Sequence, residues 1–162
     1  MNHAEQAVIL VAEDLENDVA LIRRAFDQAG VKNPLYFVPD GEEALAYING
    51  FGKYSNRNDY PFPDLLLLDL KMPKLDGFEV LHTIKTNPVL SSLRVVVLTS
   101  SQDIHDVNKA YHLGANSFLV KPIDFEKFPS MMRTLTAFWL RDSLAPPRHG
   151  ASETAPIPKS DI

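Results

Sequence analysis

Cysteine is absent from the 162 residues. That excludes a disulfide framework, a thiolate metal site and a thiol nucleophile, and it suits a reducing compartment. Positive charge is in short supply: 16 Lys and Arg face 21 Asp and Glu, for a formal charge of -5. Nucleic-acid phosphates attract basic patches, so no direct affinity for nucleic acid is expected. No apolar run approaches the ~20 residues of a membrane span. The opening MNHAEQAVIL carries an acid ahead of its apolar stretch and lacks the basic start and long apolar core of a secretory signal. These absences point to a cytoplasmic chain. At 45% hydrophobic residues, there is material for one compact core and little room for a second.

What is present alternates short apolar runs with amphipathic stretches. AVILVA (7–12), LYFV (35–38), LLLL (65–68), VVVLT (95–99) and SFLV (117–120) read as buried strands. Between them, helical spacing runs over 17–29 to a stop at Gly30, and over 40–49 with Asp40 as N-cap and Glu43 placed for a capping box. Further helices are expected over 76–86, over 104–112 before Gly114, and over 125–138 on Phe125, Phe128, Met131, Met132, Leu135 and Phe138. Strand and helix in alternation imply right-handed crossovers and a parallel sheet covered on both faces. Such a sheet binds its ligand outside the carboxyl ends of the strands.

That rule gathers five residues at one place. The first strand delivers Glu13 and Asp14, the third Asp69, the fourth Thr99 and the fifth Lys121. Singly, each has a plainer use as a helix cap, a turn residue or a solvated charge. Together, three carboxylates in one cleft repel by ~4 kcal/mol per pair at ~4 Å and an effective dielectric near 20, which a bound cation relieves. Oxygen ligands without His or Cys select a hard ion, and few carboxylates plus water suit Mg²⁺. Asp14, Asp69 and, through water, Glu13 are the expected ligands. Beside such a metal, Asp69 can act as nucleophile toward a phosphoryl group, with Lys121 and the Thr99 hydroxyl on its oxygens.

VAEDLENDVALIRRAF, LLLLDLKMPKLDGFEVL, VVVLTSS and GANSFLVKP together resemble the receiver domain of two-component response regulators, over about residues 7–140. The resemblance implies a flavodoxin-like (βα)5 sheet in strand order 2-1-3-4-5 and phosphorylation of Asp69 by a partner histidine kinase. It implies Mg²⁺ held by Glu13, Asp14, Asp69 and the Lys71 carbonyl, a switch made of Thr99 and Phe118, and a cis bond between Lys121 and Pro122. Phe118 stands where Tyr is more frequent, and Ser100 where a small Ala is common. A protein of this kind is a phosphoacceptor whose only chemistry is its own phosphorylation and dephosphorylation. It signals by docking another protein, or a second copy, through the face of the fourth helix, fifth strand and fifth helix.

The polar, aromatic-spotted segment 51–63 is long for a connection in such a fold and reads as a partner-facing excursion. With no output domain attached, it is similar to single-domain receivers that serve phytochrome kinases. Residues 1–6 are expected to be flexible, and the proline-rich 141–162 disordered. His105 and His112, two helical turns apart without a third ligand, read as solvated. Two other readings compete. A Mg²⁺-dependent phosphohydrolase of the haloacid-dehalogenase type would want an acid two residues after Asp69, where Lys71 stands. A nucleotide or flavin module, or another unphosphorylated interaction module, shares the fold class, but EDLEND after the first strand would repel a phosphate.

Overall fold

The computed structural model describes residues 6–140; the expectations placed on 1–5 and 141–162 lie outside them. Five strands form one parallel sheet: β1 (Ile9–Ala12), β2 (Leu35–Val38), β3 (Leu65–Leu68), β4 (Arg94–Thr99) and β5 (Ser117–Val120), in the order β2-β1-β3-β4-β5. Helices α1 (Glu16–Gln28), α2 (Gly41–Asn49), α3 (Gly77–Thr86), α4 (Ile104–His112) and α5 (Phe128–Leu140) alternate with them. The flavodoxin-like order expected of the chain is the one found.

Strand periodicity divides the core in two. Leu65 and Leu67 point with Ile9, Val11, Val96 and Leu98 toward Phe26 of α1 and Met132 and Leu135 of α5. Leu66 and Leu68 point the other way, with Leu10, Val95 and Val97, toward α2, α3 and α4. Both faces are therefore closed to water, which is why the strands read as unbroken apolar runs.

Local chemistry sets the helix ends. Asp40 caps α2 by accepting from the Glu43 N–H at 2.8 Å, and Gly50 ends the helix in the left-handed region at φ 72°. The capping box expected around Glu43 is completed instead at α3, between Asp76 and Glu79. Glu43 turns its carboxylate to the Tyr54 hydroxyl. Residues expected to open the fifth helix make a 3-10 turn, Phe125–Lys127, with Asp124 capping Glu126. The α-helix starts at Phe128, next to Pro129, whose missing N–H costs nothing in a first turn.

Segment 51–63 folds back onto the body. Tyr54 is buried against Tyr47 and Tyr60, with ring centroids 5.1 Å from each. The Arg57 guanidinium donates to the carbonyls of Tyr47, Ile48 and Tyr60 at 2.6–3.0 Å, capping the end of α2. The Tyr47 hydroxyl donates to the Pro61 carbonyl. Phe51 and Phe62 remain exposed. At the far end of α5, Trp139 is buried, and Phe138, half exposed, stacks edge-on against it.

Candidate functional site

The sheet ladder runs one residue past three strands and so places the chemistry. The Glu13 N–H donates to the Val38 carbonyl at 3.0 Å, that of Asp69 to Ala12 at 3.2 Å, and that of Lys121 to Thr99 at 2.8 Å. Each side chain is thus held by backbone bonds at the carboxyl edge of the sheet. Glu13, Asp14 and Asp69 each bring a carboxylate oxygen to within 4.8 Å of the others. Such an all-oxygen donor set fits a hard divalent cation. Asp14 is half-buried, while Glu13 and Asp69 are buried.

Lys121 closes the cluster. Its Nζ lies 2.6 Å from Glu13, 3.0 Å from Asp69 and 2.7 Å from Asp18. Asp18, in the first turn of α1, is the member that sequence reasoning missed. It lies in the first turn of the helix that follows the acidic pair Glu13 and Asp14, where it reads as an ordinary first-turn acid. Burial pushes the Glu13 carboxyl up to about 7, against the lowering effect of the Lys121 hydrogen bond. Burial also opposes the Lys121 charge, but its bonds to Asp18 and Glu13 and the charge of Asp69 more than offset it. The ammonium is held above its ordinary range.

Thr99 is buried at the end of β4, and its hydroxyl takes a long 3.4 Å contact from the Ser101 N–H. The Ser101 hydroxyl donates to Asp106 of α4 at 2.6 Å. Phe118 is fully buried on the α4 side of the core, and its backbone N–H donates to the Tyr111 hydroxyl at 3.2 Å. Lys71 is exposed and donates its N–H to Asp69 Oδ1 at 3.3 Å. After it the chain turns through Lys74 at φ 69° and returns to α3, where Gly77 is indispensable. A Cβ there would lie 2.2 Å from the Asp69 carbonyl oxygen. His105 and His112 are exposed.

One expectation is corrected. The Lys121 to Pro122 bond is trans, and no cis peptide occurs among the described residues. The trans form is intrinsically favoured by about 0.5–1 kcal/mol before proline, and here it already lets Lys121 reach three carboxylates.

Comparison with known proteins agrees with this geometry. The family model for the response regulator receiver domain matches residues 9–133. The chain belongs to that family. It is a phosphoacceptor signalling domain of the two-component type. Response regulator Rcp1 of Synechocystis sp. (strain ATCC 27184 / PCC 6803 / Kazusa) is 37% identical over 139 residues, covering 86% of this chain and 92% of Rcp1. Among solved structures, RPA3017, a response regulator in red light signaling of R. palustris, is 36% identical with a TM-score of 0.80. That match covers 83% of this chain and 94% of the other. The bacteriophytochrome response regulator AtBRR is 41% identical with a TM-score of 0.69, covering 83% and 95%. No helix among the described residues is long and apolar enough to cross a membrane.

Proposed function

We propose that this receiver takes a phosphoryl group onto Asp69 from the phosphohistidine of a phytochrome-type sensor kinase, with Mg²⁺ at Glu13, Asp14, Asp69 and the Lys71 carbonyl. The observation that supports it most is the convergence of three carboxylates within 4.8 Å around a lysine 3.0 Å from Asp69. An Asp69 carboxylate oxygen attacks phosphorus, the P–N bond to the donor histidine breaks, and its electron pair returns to the imidazole nitrogen. The product is an acyl phosphate. Mg²⁺, when bound, supplies positive charge to the phosphoryl oxygens. Lys121 holds one of those oxygens, and the Thr99 hydroxyl turns from Ser101 to donate to another. Similarity to Rcp1 and AtBRR supports the kinase class.

Thr99 and Phe118 then form the switch. As Thr99 is drawn to the phosphoryl group, the loop before α4 moves and Phe118 repacks, which changes the face of α4, β5 and α5. That face signals to a protein partner or to a second copy of the chain. The test is incubation with Mg²⁺ and phosphoramidate, read by intact mass. Wild type gains one phosphoryl group and Asp69→Asn gains none. Equal labelling of the two would overturn the assignment. A panel of histidine kinases, ranked by initial transfer rate, tests the partner class.

A further inference from the structure

Lys121 has three ammonium protons and three carboxylate partners. Two of those partners, Glu13 and Asp69, also belong to the trio that can hold a cation; Asp18 does not. The Asp18 side chain sits at the rim, 26% exposed, against 1% for Glu13 and 8% for Asp69. Its contact is nevertheless short, 2.7 Å, whereas the contact to Asp69 is the longest of the three at 3.0 Å.

This asymmetry matters once the site is loaded. A cation draws on the oxygens of Glu13 and Asp69, and phosphorylation makes Asp69 an acyl phosphate whose charge lies on the phosphoryl oxygens. Both inner partners of Lys121 are then partly withdrawn. A lysine stem has four rotatable carbons and a strongly hydrated head, so without a retained partner it spreads over several rotamers. Asp18 is the carboxylate partner that neither the cation nor the phosphoryl group draws on. Standing on α1, it acts from outside the reacting atoms and fixes the direction in which the other ammonium protons point.

We propose that Asp18 is a positioning residue for phosphoryl uptake: it anchors the Lys121 ammonium on α1 so that the N–H facing Asp69 can donate its hydrogen bond to an incoming phosphoryl oxygen instead. This rests on the reading of Asp69 as phosphoacceptor. It asks more of Asp18 than the ordinary benefit of an acid near a helix N-terminus, which would affect stability alone. An uncharged acceptor of the same shape should preserve most of the effect, because the anchor is a hydrogen bond as well as a charge.

The test uses the full chain with Asp18→Ala and Asp18→Asn. Alanine suits the first turn of a helix and leaves a partly exposed position, so both variants should fold. Three readouts are taken: phosphoramidate uptake at saturating Mg²⁺, the Mg²⁺ Kd by calorimetry, and exchange of the Lys121 ammonium protons in metal-free protein by ¹⁵N NMR. Asp18→Ala should slow uptake roughly ten-fold, a small part of what misplacing a catalytic group can cost. It should also leave the Mg²⁺ Kd unchanged and speed ammonium exchange, while Asp18→Asn recovers most of the uptake rate. Uptake by Asp18→Ala at the wild-type rate, or a loss matched by weaker Mg²⁺ binding, would overturn the inference while leaving Asp69 as acceptor. Failure of the wild type to take up phosphoryl would overturn both.

Discussion

The Lys121 ammonium lies 2.6 Å from Glu13, a carboxylate 108 residues earlier in the chain, and Glu13 is almost wholly withdrawn from water. The pair joins the end of β1 to the end of β5, across β3 and β4. Removing one side of a buried ion pair leaves the other uncompensated, so Lys121→Met should lower unfolding stability by about 3–5 kcal/mol without metal. Mg²⁺ offers a substitute cation to Glu13 and Asp69. Urea denaturation should therefore show a larger stabilising increment from Mg²⁺ in the variant than in wild type. Equal increments would mean that the carboxylates do not share one cation site.

A second lysine behaves differently. Lys85, at the end of α3, donates to the carbonyls of Ser91 and Leu93 and to the Asn116 side chain at 2.7–3.3 Å. Burial, with a contribution from the charge of Arg94, lowers it from 10.5 to about 8. In the unfolded chain it regains its ordinary value. Between pH 8 and 10.5 the unfolded chain therefore binds the proton that the folded chain has released, and this group makes stability rise with pH. Burial holds Tyr47 and Tyr54 above their ordinary 10.0, which gives the opposite slope only above that pH. Wild type minus Lys85→Met, measured by urea denaturation at pH 7.5, 8.5 and 9.5, should isolate a positive slope. A flat difference would show that the three acceptors keep Lys85 charged throughout.

Arg57 tests the segment that reads in sequence as an excursion. Its guanidinium donates to the Ile48 carbonyl at the C-terminal end of α2 and adds a second bond to the Tyr47 carbonyl, which also accepts from the Gly50 N–H. Loss of charge-assisted bonds of this kind costs about 1.5–3 kcal/mol. Arg57→Ala should lower stability by that order and open 51–63 to limited proteolysis, with cleavage near Lys53. Unchanged protease resistance would assign the folding of this segment to the tyrosine cluster alone.

Period and punctuation made the sheet legible: unbroken apolar runs, glycine stops, and the acids and lysine that close the runs. The same logic placed Glu13, Asp14, Asp69, Thr99 and Lys121 at one edge; the ladder puts Glu13, Asp69, Thr99 and Lys121 there, and Asp14 clusters with Glu13 and Asp69. Asp18 was hidden because its partner lies 103 residues away, and no local pattern distinguishes it from a first-turn acid that favours the helix dipole. Lys85 reads as a surface lysine near a helix end. Only the return of the chain through Leu93 and Asn116 encloses it. In 51–63 the polar composition masks a knot of tyrosines whose rings meet through Tyr36 and Tyr47 on other elements.

Phe118 belongs to the half of the core shared with α2, α3 and α4, while α1 and α5 pack on the opposite half. The sheet between them is a partition. Packing changes beneath α1 and α5 do not touch the side chains that surround Phe118, and substitutions far apart without shared partners add rather than couple. The side chains beneath α1 can therefore be repacked while those that enclose Phe118 keep their own neighbours.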